Sequence, residues 1–360
     1  MNINVTQPFL PPYEEFQAYM KKIWERNWLT NNGPLLNELE LKLKEHLQVD
    51  HLLFLSNGTI ALQIAIHALD LQGEIITTPF SYVATTSSIV WEKCRPVMVD
   101  IFPETLNINT KEIEQAITDK TSAILGVHVF GNPCDVDAIE KIAAKHNLPV
   151  VYDAAHAFGT IYKGRSLLSY GDISTCSFHA TKLYHTIEGG AVITPKADLL
   201  KRMALMRNFG HITVDEFAEV GINGKNSEVH AAMGLCNLKY LRQILTVRRK
   251  LSERYKEKLE GLPLSYQKIT LDTQYNYSYF PIIFEDESML MKVLKQLNLN
   301  SIYPRRYFFP SLSALPYITG QITPIAENIS RRILCLPLYH SLSDEVVDMI
   351  CRIIKRSIRY

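Results

Sequence analysis

PVVYDAAHAFG, residues 149–159, opens as a β-strand that runs straight into a carboxylate. Its first half is nearly continuous in apolar residues, the pattern of a strand covered on both faces, as parallel strands are. Four runs of the same kind precede it: HLLFL (51–55), EIITTP (74–79), PVMVDI (96–101) and AILGVHVF (123–130). Two follow it, ISTCSF (173–178) and GAVIT (190–194). Helical patterns such as TIALQIAIHALDL and DVDAIEKIAAKHN lie between most of these runs. Strands alternating with helices predict an α/β unit, a mostly parallel seven-stranded sheet flanked by helices. Runs 173–178 and 190–194 are joined by too little chain for a helical crossover, so antiparallel pairing is expected there.

After about residue 240 the pattern changes. A charged helix, LRQILTVRRKLSERYKEKLEGL, leads into a short α+β region that ends on the helical pattern SDEVVDMICRIIKRSIRY. The expected division is 1–240, the N-terminal segment and a large unit, and 241–360, a smaller α+β unit that the N-terminal segment is expected to join. Arg248-Arg249-Lys250 reads as a run of solvated helix charges.

Composition excludes several classes. The chain of 360 residues has 38 basic and 37 acidic side chains, a net charge of +1, without the basic surplus that marks nucleic-acid binding. The opening MNINVTQPFLPPYEEF lacks a basic leader and apolar core, so no secretory signal is expected. No apolar run approaches the roughly 20 residues of a membrane helix. Cys94, Cys134, Cys176, Cys236, Cys335 and Cys351 show neither a C-x-x-C pair nor zinc spacing, and read as reduced thiols of a cytoplasmic protein. No metal site is expected.

In a helix-flanked parallel sheet, ligands bind beyond the carboxyl ends of the strands. Asp153 ends an apolar strand, where an unpaired carboxylate is costly to bury. A protonated pyridine nitrogen is a suitable partner; capping of the next helix is the plain alternative. His156 lies close enough to reach the same pocket. Ser56-Asn57-Gly58-Thr59 follows HLLFL and opens a helix, so its N–H groups suit a phosphate, unless the turn is a simple N-cap. Tyr82, after EIITTP, either packs in the core or offers a ring face to a flat cofactor.

SFHATKLYHTIEGGAVIT (177–194) completes the set. Ser177 closes a strand, Lys182 follows in a short loop, and Gly189-Gly190 leads into the next strand. A partly desolvated lysine has a lowered pKa, so its neutral amine is free to form a Schiff base with a carbonyl. Amine, acid, stacking aromatic and phosphate turn together describe a pyridoxal-phosphate site. No Gly-x-Gly-x-x-Gly follows an early strand, which argues against a nicotinamide enzyme.

At these residues the chain resembles the DegT/DnrJ-type sugar-nucleotide aminotransferases, a branch of the aspartate-aminotransferase-like fold. WLTNNGPLLNELE, TTPFSYVATTSSI, HVFGNPCDVDAI, YDAAHAFG, SFHATKLYHTIEGGAV and GINGKNSEVHAAMGL extend the likeness over nearly the whole length. The resemblance implies that Lys182 holds the cofactor and then shuttles a proton, and that Asp153 keeps the pyridine nitrogen protonated. It implies that Tyr82 stacks on the ring, that His156 contacts its hydroxyl side, and that Gly58, Thr59 and Ser177 bind the phosphate. Asn223 would reach the phosphate of a neighbouring subunit, making a homodimer with composite sites. Two departures stand out: Asn57 is inserted before the glycine of the turn, and Lys225 stands where many relatives carry Arg.

A dehydrating relative has His at the lysine position, so Lys182 favours transamination. The resemblance implies L-glutamate as donor and a nucleotide-linked 4-keto-6-deoxyhexose as acceptor, giving dTDP-4-amino-4,6-dideoxyglucose for O-antigen or glycoconjugate assembly. The alternatives are amination at C3 of a 3-keto sugar and a non-catalytic regulator that binds pyridoxal phosphate. Arg305, Arg306 and Tyr307 in SIYPRRYFFPSL (301–312) either grip the nucleotide or form an exposed basic turn.

Overall fold

The computed structural model describes residues 2–359. Its central feature is the expected seven-stranded sheet, built from β1 (His51–Leu55), β2 (Glu74–Thr77), β3 (Arg95–Met98), β4 (Thr121–Val127), β5 (Val150–Asp153), β6 (Ile173–Ser177) and β7 (Gly190–Thr194), in the order β1-β7-β6-β5-β4-β2-β3. Strands β6-β5-β4-β2-β3 run parallel. Strand β7 is antiparallel to both of its neighbours, as the short connection from β6 requires.

Both faces are buried, which explains the continuous apolar runs. Leu52, Phe54, Ile76, Ile124, Tyr152 and Cys176 point into one core, while Leu53, Leu55, Ile75, Leu125 and Val151 point into the other. Helix Pro34–Leu47 covers the first face with Leu35, Leu36, Leu39, Leu43 and Leu47. Its opening N–H groups have no intrahelical acceptors, and the buried Glu228 supplies them: Leu35 and Leu36 donate to its two oxygens at 2.9 and 2.8 Å.

Beyond residue 240, strands β8 (Leu264–Tyr266), β9 (Phe280–Phe284) and β10 (Ile333–Leu336) form an antiparallel sheet in the order β8-β9-β10. Helices Leu241–Lys258, Glu287–Leu299 and Asp344–Arg359 supply Leu251, Tyr255, Leu290, Val347 and Ile354 to its core. Two stretches cross the expected boundary at 240. Ile3 sits in this second core, and Ile3–Asn4 pairs with Ile302–Tyr303. In the other direction, Thr273–Gln274 pairs with Ile161–Tyr162 of the large unit.

One charge reading is corrected. Arg248 is only 4% exposed, not a solvated helix charge. Its helix packs against the segment after residue 274, whose Tyr277 and Ser278 carbonyls accept from the guanidinium. Arg249 does lie at the surface, paired with Glu253 at 2.8 Å.

Candidate active site

Sheet register assembles the end of the site where a phosphate is expected. Gly190 lies opposite Leu55 on one side and Ser177 on the other, so the turn after β1 meets the end of β6 across it. A Cβ on Gly190 would stand 2.4 Å from the Asn57 carbonyl carbon and 2.7 Å from the Gly58 nitrogen, so only glycine lets that turn close. A Cβ on Gly58 would meet the Ser177 Cβ at 2.9 Å. The added Asn57 is the N-cap: its Oδ1 accepts from the Ile60 nitrogen at 2.8 Å, and the helix begins at Gly58. With the cap supplied by Asn57, the Gly58 and Thr59 N–H groups have no intrahelical acceptor and lie at the positive end of the helix dipole. Thr59 is exposed there.

The chemical end lies beyond β5 and β6. Asp153 is buried; its Oδ2 accepts from Thr85 Oγ1 at 2.7 Å and its Oδ1 from the Ala155 nitrogen at 3.1 Å. Burial raises its carboxyl pKa; the Thr85 and Ala155 hydrogen bonds and the charge of Lys182 act against that rise. Lys182 shares a small pocket with His156, Ser177, Ser278 and Tyr279. Burial lowers its ammonium pKa, which favours the neutral amine, while Asp153 opposes the shift. His156 is held neutral by burial and then by Lys182. Its ring is parallel to Phe308 at 5.8 Å and edge-on to Tyr279 at 4.9 Å.

Tyr82 is exposed, so the core-packing reading fails for it; Phe80 fills that core position instead. Arg305, Tyr307 and Tyr82 line a cavity of about 550 Å³ with Tyr303 and Phe309. Arg306 reaches that cavity with its side chain already engaged: it donates to Glu287 at 2.6 Å and to the Arg331 carbonyl at 2.7 Å, and stacks on Phe309 at 3.7 Å. Arg305 is exposed with its guanidinium 5.8 Å from the Tyr307 ring centre. Asn223 is exposed and accepts from Lys225 Nζ at 2.7 Å. The Gly224 carbonyl beside it accepts from the Ser56 nitrogen, docking this segment on the turn after β1 of its own chain.

Three contributors escaped the sequence reading. Thr85 is a helical threonine like any other until Asp153 folds against it. Asn276 and Ser278 donate to the His156 carbonyl at 2.7 and 2.6 Å from a segment more than a hundred residues away. The tyrosine-rich run YNYSYF (275–280) was the only local signal.

These residues fit pyridoxal phosphate. Asp153 is a buried anion with one protein donor on each oxygen, which leaves it wanting a cation. The Gly58–Ser177 cradle is one that side chains would fill. Among the described residues, no group of His, Cys, Asp and Glu is arranged to hold a metal ion, and no helix is long and apolar enough to cross a membrane.

Fold and site together define a lysine-centred aminotransferase scaffold. The chain belongs to the DegT/DnrJ/EryC1/StrS aminotransferase family, which it matches over residues 12–355. Aminotransferases of this family depend on pyridoxal phosphate. The dTDP-4-amino-4,6-dideoxy-D-glucose transaminases of Escherichia coli and Shigella dysenteriae are 42% and 43% identical to it, each over 98% of both chains. The solved structure of DesI with its TDP-sugar product superposes with a TM-score of 0.94 at 31% identity, covering 99% of this chain and 93% of that one.

Proposed function

We propose that this enzyme transfers the amino group of L-glutamate to C4 of dTDP-4-keto-6-deoxyglucose. The product, dTDP-4-amino-4,6-dideoxyglucose, would serve surface-polysaccharide (O-antigen) or glycoconjugate assembly. The observation that carries this reading is a pocket shared by Lys182, His156 and Ser177, with Ser177 against the Gly58 turn and Asp153 on the neighbouring strand, in a chain 42% and 43% identical to transaminases named for that product.

Pyridoxal phosphate, when bound, supplies an electron sink for exchanging an amine with a ketone. The Gly58 and Thr59 N–H groups and the Ser177 hydroxyl hold its phosphate. Asp153, its oxygens oriented by Thr85 and Ala155, keeps a proton on the ring nitrogen. Tyr82 would cover the ring and His156 would meet its hydroxyl side. Lys182 Nζ would hold the cofactor at its carbonyl carbon and, as a free amine, would accept a proton from the substrate carbon and return it as the ammonium. Arg305 and Tyr307 bind the nucleotide diphosphate from the 550 Å³ cavity. Arg306, tied to Glu287, orders that loop.

The site is composite in this reading. Phe209, Ile212, Val214, Phe217, Val220 and Ile222 are exposed along the segment that leads to Asn223, an apolar surface suited to a second copy. In the homodimer Asn223 reaches the partner's phosphate.

The test is to incubate the protein with pyridoxal phosphate, L-glutamate and dTDP-, UDP- and GDP-linked 4-keto and 3-keto sugars. Products are identified by mass and NMR. The reading expects a C4 amine on the dTDP sugar. Amination at C3 overturns the position, and a cofactor signal with no amination of any sugar supports the regulator.

A further inference from the structure

We propose that Arg248 is a positioning residue for this site, acting through residues 276–279. This inference rests on the pyridoxal-phosphate reading above.

Arg248 projects from helix Leu241–Lys258 into the protein, 4% exposed, and among the described residues it makes no ion pair. Its Nε donates to the Tyr277 carbonyl at 2.9 Å and its Nη2 to the Ser278 carbonyl. A buried cation without an anion is costly, and an aliphatic side chain would fill the same volume without that cost. Stability alone therefore does not account for a guanidinium here. What a guanidinium does supply is a rigid fork of N–H donors, able to hold two successive carbonyls at once.

The backbone it holds is strained. Tyr277 has φ +52°, the left-handed region that side chains other than glycine disfavour. The opposite side of the same segment builds the site. Asn276 Nδ2 donates to the His156 carbonyl at 2.7 Å and to that of Phe158 at 2.9 Å. Ser278 Oγ donates to the His156 carbonyl at 2.6 Å. The Tyr279 ring stands edge-on to His156 at 4.9 Å and lies 6.0 Å from Lys182 Nζ. Within residues 276–279, Arg248 thus holds the Tyr277 and Ser278 carbonyls, while Asn276, Ser278 and Tyr279 meet His156 and Tyr279 also approaches Lys182.

Loosening the fork lets Tyr279 move and admits water beside Lys182, which favours the protonated form of its nitrogen both free and joined to the cofactor. The test uses full-length Arg248→Met and Arg248→Lys loaded with pyridoxal phosphate. The readouts are the pH titration of the bound cofactor's visible band, cofactor retention on dialysis, kcat, and thermal melting. Arg248→Met is expected to raise the titration midpoint by about half a pH unit or more and to lower kcat on the order of tenfold, in protein that is still folded. Arg248→Lys, which keeps the charge but cannot span both carbonyls, falls between it and the wild type. If the Met variant does not fold, the Lys variant alone decides by the same readouts. A midpoint and kcat equal to wild type in every folded variant overturn the proposal, even if melting falls. A wild-type protein that shows no visible band with pyridoxal phosphate contradicts the underlying reading instead.

Discussion

Thr85 donates its hydroxyl to Oδ2 of Asp153 at 2.7 Å, and because that proton is committed, the Ser81 hydroxyl at 2.7 Å donates to Thr85 in turn. The chain of hydroxyls begins beside Tyr82 and ends on the acid expected to face the cofactor ring. It fixes which way the carboxylate faces. Thr85→Val keeps the shape and removes the donor, leaving a buried carboxylate oxygen unsatisfied. We expect a loss of about 1–3 kcal/mol in denaturant unfolding and weaker cofactor retention. Thr85→Ser, which keeps the hydroxyl, should retain most of both. Equal stability of the Val variant and the wild type contradicts the assignment.

Asp153 also predicts a pH dependence. Its native pKa is raised by burial above the unfolded value of 3.8, so the native state holds the proton longer than the unfolded chain. The stability tied to the protonated form is fully present below 3.8 and is lost as pH rises through the raised native value. Asp153→Asn never ionises and still offers an acceptor to Thr85. In cofactor-free protein the Asn variant should therefore be more stable than wild type at neutral pH. The difference should shrink as pH falls into the carboxylate range, and turnover should be lost. Urea titrations at several pH values read this directly, and a difference that does not change with pH argues against it.

Glu228 stands in the motif GINGKNSE, yet its contacts are those of a cap. It accepts from the Leu35 and Leu36 N–H groups and is itself 1% exposed. Glu228→Ala orphans both donors and is expected to cost about 1–3 kcal/mol. Glu228→Gln, with one carbonyl acceptor left, should lose less. Chemical denaturation with and without cofactor separates this from a site effect, since the loss should be the same in both.

Asn223 lies at the end of the exposed apolar segment and carries the proposed link between subunits. Asn223→Ala should release pyridoxal phosphate faster on dialysis while sedimentation still reports a dimer. Unchanged retention removes Asn223 from the phosphate site, and a monomeric wild type removes the composite site altogether.

Much of the fold was legible because the sheet is buried on both faces. Each of the seven apolar runs overlaps a strand of the sheet, two of them starting one or two residues inside it, at Pro96 and Ala123. AILGVHVF also leaves the strand at Val127 and bends at Phe130, whose φ is +57°. Residues whose chemistry is out of place locally, Asp153 at an apolar strand end and Lys182 in a tight loop, were legible for that reason. Those whose role comes from distant partners were not. Thr85 meets Asp153 across 68 positions, and Arg248 meets Tyr277 across 29. An arginine between charged neighbours on a helix reads as solvated until the segment that buries it is placed.

The central claim is that Lys182 is the residue that binds pyridoxal phosphate. Reducing the cofactor-loaded enzyme with sodium borohydride and mapping its peptides by mass spectrometry tests it most directly. The account predicts a pyridoxyl adduct on the peptide containing Lys182, absent from Lys182→Ala and from enzyme first treated with L-glutamate. An adduct on a different lysine, or none on protein that has bound the cofactor, contradicts it.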